Sequence, residues 1–216
     1  MQQLSKVSYN VEKSALFLEN LWRKIPKLTP DKQFWTCFNE AGTELRWANE
    51  TQQEMFTKIE KLIQDAKPAE KLMIERGSTF EKLNTKQQQF LTAGLEAEVA
   101  KEFSKYDELL SVSNPVYKTN KNIAGEFDGL FNKYLVEVKY SVSGETNTGK
   151  FLKQFKKYID PFDENFINIR KKPVVLFIKQ FTKGGNVDQS VLKTLQKNRE
   201  IKVINITDFK QIKKLY

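Results

Sequence analysis

The clearest alternation of apolar and polar positions in this chain runs from Tyr134 to Tyr140. Tyr134, Val136, Val138 and Tyr140 fall on one face of a strand, and Leu135, Glu137, Lys139 and Ser141 on the other, because strand side chains repeat with a period of two. Upstream, Gly125-Glu126-Phe127-Asp128-Gly129-Leu130-Phe131 leads into Asn132-Lys133. Read as a two-residue turn, Asn132-Lys133 pairs Phe131 with Tyr134 and sets Asp128 directly opposite Glu137. Asparagine tolerates the positive φ that such a turn demands.

Elsewhere the period is helical. Val11, Ala15, Leu18 and Trp22 predict a helix over 11–24 that stops before Pro26. Thr29-Pro30-Asp31 reads as the cap of a second helical segment holding Phe34, Trp35 and Phe38, broken at Gly42. Met55, Ile59, Leu62 and Ile63 predict a third over 51–66, limited by Pro68. Residues 77–84 connect to a helix over 85–106 that carries Phe90, Leu91, Leu95, Val99 and Phe103. A loop or short strand over 112–117 leads to the hairpin. A polar loop over 144–149, a basic amphipathic helix over 150–159, a buried strand over 173–181 and a helix over 187–198 follow. A strand over 201–206 and a terminal helix capped by Thr207 or Asp208 complete the pattern. Strand, helix, strand in that order predicts a right-handed parallel crossover. The fold class is α/β: a mixed sheet flanked by helices over residues 86–216, preceded by an all-α region over 1–85.

Composition narrows the chemistry. Hydrophobic residues at 39% suffice for a core, so wholesale disorder is not expected. The single cysteine, Cys37, excludes an internal disulfide and a Cys₄ zinc site. The absence of histidine excludes Ser-His-Asp triads, histidine bases and HExxH zinc sites. Carboxylates, lysines, hydroxyls or a metal must carry any reaction. Residues 1–13 lack the apolar core of a signal peptide. The longest purely apolar run, 174–178, is too short for a membrane span. The reading is a soluble chain with a cytoplasmic site of action.

Charge is lopsided. Residues 1–110 hold 16 Lys and Arg against 17 Asp and Glu, whereas residues 111–216 hold 20 against 10. The excess lies in the half that carries Asp128 and Glu137 and points to a polyanionic partner such as nucleic acid. Trp22, Trp35 and Trp47 could stack on bases, but their apolar spacing suits core packing better.

Opposed carboxylates on a half-buried sheet face repel, since directly paired Cβ atoms lie about 4.5–5.5 Å apart. A divalent cation would relieve that repulsion, and hard oxygen ligands suit Mg²⁺ or Mn²⁺.

A glutamate-bearing helix, a hairpin with Asp128, Glu137-Val138-Lys139 on the next strand, then a helix: this order resembles the PD-(D/E)XK nuclease superfamily, with its restriction-endonuclease-like fold. The resemblance covers about residues 86–216. It departs from the name-giving motif at Phe127, where a proline would stand. It implies a metal-dependent nuclease in which Asp128 and Glu137 bind Mg²⁺ or Mn²⁺ and Lys139 is the catalytic lysine. Gly94-Leu95-Glu96-Ala97-Glu98 matches the leading helix, with Glu98 as the further acid and metal ligand and Glu96 its competitor. Gln154 matches a glutamine that points into the site, with Tyr158 one turn on. Lys150, Lys153, Lys156 and Lys157 would track the backbone of DNA or transfer RNA.

Such modules also resemble the terminal nucleases of bacterial toxins. That would imply delivery as part of a larger secreted toxin, a cognate immunity protein as partner, and a targeting or partner-binding role for residues 1–85. A non-catalytic nucleic-acid-binding protein that retains the fold is the alternative.

Overall fold

Leu45 and Trp47 alternate with Glu44 and Arg46, a period of two that commits this segment to a strand. The computed structural model describes residues 33–142, 148–181, 195, 197 and 200–216. The helix expected over 11–24 with Trp22, residues 144–147, Gly184-Gly185 and nearly all of the helix expected over 187–198 lie outside the described residues. The second expected helical segment is instead a β-hairpin, with β1 at Gln33–Phe38 antiparallel to β2 at Glu44–Asn49. Its turn is closed by Asn39, whose Oδ1 accepts from Thr43 N–H at 2.7 Å, and by Gly42 at φ +78°. The all-α reading of residues 1–85 therefore fails over 33–49. The local alternation and the Asn/Gly turn outweigh the helical spacing of Phe34, Trp35 and Phe38.

The first helix, α1 at Gln52–Arg76, opens with a reciprocal cap between Thr51 and Glu54 and ends at Gly77 in the left-handed conformation. It does not stop at Pro68. The lost N–H costs one backbone hydrogen bond, but Ala66 and Ala69 on either side are buried and hold the helix across the break. A 3₁₀ turn at Phe80–Lys82 leads to α2 at Thr85–Phe103, capped by Asn84 and Gln87. Gly94 lets α1 and α2 approach closely, since a Cβ there would lie 2.3 Å from Ala66 Cβ. Met55 and Ile59 of α1 share one core with Leu91, Leu95 and Phe103 of α2, so packing is continuous across residue 85.

Five further strands complete the sheet: β3 at Leu109–Lys118, β4 at Ile123–Phe131, β5 at Leu135–Val142, β6 at Val174–Phe181 and β7 at Val203–Ile206. The seven strands lie in chain order. Neighbours from β1 to β5 are antiparallel, while β5, β6 and β7 run parallel. One face packs on α1 and α2. The other is covered by α3 at Thr148–Ile159, which buries Phe151, Phe155 and Tyr158 against Phe127, Leu135 and Leu176. The terminal segment Phe209–Leu215 is a 3₁₀ helix capped by Asp208. The protein is thus α/β, with a mixed sheet and flanking helices. Among the described residues, no helix is long and apolar enough to cross a membrane.

Overpacking a close helix contact typically costs about 1–3 kcal/mol. Gly94→Ala is therefore expected to destabilise the chain by roughly that amount despite alanine's better helix propensity, as read from urea unfolding. A change below about 0.5 kcal/mol would show that the helix pair is loosely packed.

Candidate active site

The hairpin at Asn132-Lys133 pairs in the expected register, but neither residue takes the positive φ expected of such a turn. Gly129 pairs with Val136 and Leu130 with Leu135, and Phe131 N–H donates to Tyr134 O at 2.8 Å. This register carries Asp128 opposite Glu137. The paired ladder ends at Gly129, and there the Asp128 side chain substitutes for backbone: its Oδ2 accepts from Val138 N–H at 2.7 Å. The hairpin is pinned from behind by Lys172, whose buried amine donates to Phe131 O at 2.6 Å and to Asn132 O.

Glu137 is only 2% exposed and Asp128 8%. Lys139 Nζ lies 2.5 Å from Glu137 Oε1, while among the described residues Glu137 Oε2 is buried and accepts no well-formed hydrogen bond, the Tyr158 hydroxyl beside it being turned to Glu126 O. Sequence reasoning thus placed Asp128, Glu137 and Lys139 on one face correctly, and the structure brings all three together.

Of the two helix glutamates, Glu96 and not Glu98 lies near Asp128, Glu137 and Lys139. Two residues on an α-helix are separated by about 200° of rotation, so only one of the two can face the hairpin. Glu96 feels the charges of Glu126, Lys139 and Glu137, and its Oε2 accepts from Ser113 Oγ at 3.2 Å. Glu98 instead lies beside Lys179 and Glu70. Ser113 reaches Glu96 from a kink in β3 where its own φ is +45°. Lys58 of α1 secures that kink by donating to Val112 O at 2.8 Å and Ser113 O at 3.0 Å. Glu126, an exposed residue facing Glu96, was not anticipated. Its signal was its place two positions before Asp128 on the same strand.

On α3, Gln154 is exposed. The inward place one turn later belongs to Tyr158, fully buried, whose hydroxyl donates to Glu126 O at 2.7 Å. Lys153 and Lys156 are exposed and Lys157 is half-buried, while the Lys150 side chain is outside the described residues.

Burial sets the electrostatics, and each charge then modifies it. Asp128 is held well above the usual carboxylate range by burial first and then by Glu137 and Glu96, against the pull of Lys139 and the Val138 N–H. Burial would raise Glu137 as well, but Lys139 and Lys157 outweigh it and hold that carboxyl below its ordinary value. Burial would lower the Lys139 amine, but Glu137 and Asp128 outweigh it and hold the amine above its usual range. Glu96 is pushed up to about 7 by burial, with Glu126 adding to it.

Among the described residues, no three His, Cys, Asp or Glu side chains form a group that could hold a metal ion by themselves. Mg²⁺ does not require one, since it keeps several waters and takes one or two carboxylates together with substrate phosphates. Asp128 and Glu137 fit that demand, with the orphaned Glu137 Oε2 as a donor lacking a partner.

No family model, no curated protein and no solved structure matches the chain.

The Glu96 shift has a thermodynamic consequence. The folded protein holds this proton up to about pH 7 whereas the unfolded chain releases it near 4.5. The associated stability is complete below pH 4.5 and is lost as pH rises through 7. In metal-free buffer, wild-type stability relative to Glu96→Gln is expected to fall by roughly 1–3 kcal/mol between pH 4.5 and 8, at about 1.4 kcal/mol for each pKa unit. A pH-independent difference in urea unfolding would place Glu96 outside the charged cluster.

Proposed function

We propose that this chain is a Mg²⁺- or Mn²⁺-dependent nuclease of the PD-(D/E)XK type that hydrolyses phosphodiester bonds in DNA or RNA. One observation supports this above all: two buried carboxylates and a lysine converge where β4 and β5 part, and among the described residues one carboxylate oxygen there accepts no well-formed hydrogen bond. A structural role alone gives no reason to bury Glu137 Oε2 unsatisfied, because each such group costs about 1–3 kcal/mol or more.

Asp128 and Glu137 would hold the cation, with Glu96 the next acid in reach. When bound, the ion polarises the phosphate and lowers the pKa of water, supplying the nucleophile in a chain without histidine. Lys139, kept charged by Glu137, directs an N–H toward the attacking water or the charge gathering on phosphate. It can do this as a compact cation with three donors. The attacking water gives up a proton to solvent as its oxygen bonds phosphorus, the P–O bond on the far side opens, and the departing oxygen takes up a proton from solvent. The exposed Lys153 and Lys156 give the approaching backbone a non-specific electrostatic hold. Delivery within a larger toxin, with an immunity protein as partner, belongs to this reading through the family resemblance alone.

Plasmid DNA and total transfer RNA are expected to be cut in the presence of Mg²⁺ or Mn²⁺, and cutting is expected to stop on chelation. Glu137→Ala and Lys139→Ala should each reduce the rate about 10²-fold or more, the scale for losing a group that stabilises transition-state charge. Salt-sensitive binding to both substrates with no cutting under either metal would instead identify a non-catalytic nucleic-acid-binding protein.

A further inference from the structure

Glu137 feels the charge of two lysines, and only one of them is in bonding contact with it. Lys139 is committed to Glu137 Oε1 at 2.5 Å. Lys157 approaches from α3, and its charge is felt at Glu137. Among the described residues its amine makes no hydrogen bond or ion pair; it rests over the Tyr158 ring, 4.5 Å from the centroid. That ring is fixed by its hydroxyl on Glu126 O, and the Lys157 carbonyl is fixed by Ile167 N–H at 2.8 Å. Among the described residues the amine thus sits over that ring with no hydrogen bond or ion pair, its charge acting on Glu137 from a distance.

Its path across β4 depends on Gly125. A Cβ at that position would lie 3.0 Å from Lys157 Cδ and 3.0 Å from Ile167 Cδ1, closer than side-chain carbons ordinarily pack. Gly125 is not among the residues with positive φ, so backbone conformation does not demand a glycine here. Space does. Lys153 and Lys156, on the same helix, point to solvent, whereas Lys157 is half-buried.

We propose that Lys157 is a second cation on the reacting phosphate, opposite Lys139, and that Gly125 is the slot through which it reaches the site. The ligand it fits is a phosphodiester oxygen drawn toward the carboxylate cluster. This rests on the nuclease reading above and separates Lys157 from the outward lysines. Lys157 is a catalytic residue in this scheme, and Gly125 and Tyr158 are positioning residues.

The test compares wild type, Lys157→Gln, Lys157→Arg, Gly125→Ala, the Gly125→Ala/Lys157→Gln double variant and Lys153→Gln on the same DNA and transfer RNA. Lys157→Gln is expected to lower kcat at least tenfold with KM within about threefold, and Lys157→Arg to recover part of the loss. Lys153→Gln should change only KM and the salt dependence. Gly125→Ala should resemble Lys157→Gln, and the double variant should be no worse than either single one, because both remove the same contact.

An independent readout uses wild type in chelator. A short oligonucleotide should protect Lys157 from an amine-acylating reagent, as located by mass spectrometry. Wild type that cuts while Lys157→Gln cuts equally well, or a Lys157 that is acylated equally with and without oligonucleotide, would overturn the proposal and leave the nuclease reading intact. Independent, multiplying losses in the double variant would overturn the role of Gly125. A wild-type chain that cuts nothing under either metal would overturn both readings.

Discussion

A charged carboxylate that is 2% exposed survives in this fold because an ammonium lies 2.5 Å from it. Desolvating Glu137 costs several kcal/mol, and only a close, hydrogen-bonded counter-charge offsets such a cost. Lys139 provides it from two positions along the same strand, so the pair needs no long-range registration to form. Among the described residues, Asp128 has no such counter-charge at bonding distance. It relies on the Val138 N–H, and its carboxyl is held on the neutral side of the usual range. Two neighbouring acids thus lie on opposite sides of their ordinary values, Glu137 through the charges of Lys139 and Lys157 and Asp128 through burial and the charges of Glu137 and Glu96.

Holding that arrangement falls to other lysines acting as caps on carbonyls. Lys172 pins the turn between β4 and β5, and Asn168 ties Lys172 to α3 by donating to both Tyr158 O and Lys172 O. Lys58 secures the kink at Ser113, from which Glu96 is reached. Each amine trades hydration for carbonyl oxygens and in doing so fixes a bend that an ordinary ladder would straighten.

What could be read from the residues was what is local. The β4–β5 register follows from alternation over seven residues and one turn, and Asp128, Glu137 and Lys139 came with it. Assigning the helix acid to Glu98 failed because α2 buries residues around most of its circumference, Leu91, Leu95, Ala97, Val99 and Phe103 among them. No polar stripe marks which glutamate looks inward. The hairpin at 33–49 was missed because Phe34, Trp35 and Phe38 fit a helical spacing, and the period-two signal sits on the partner strand. Pro68 was weighed as a stop because its cost is local, while the packing that offsets it comes from α2. Lys157 stood in a row of equals until Gly125, thirty-two positions upstream, singled it out.

Gly94 and Glu96 point about 200° apart on the same helix, one against α1 and the other toward the cleft. Helix α2 is therefore a rigid spacer, and the thickness of its contact with Ala66 sets how far the Glu96 carboxylate projects. No soft loop lies between the two to absorb a change. A shift of a fraction of an ångström at that back-side contact is passed through the helix body to the acid, which makes a site of mere packing a calibration point for the carboxylate cluster on the opposite side.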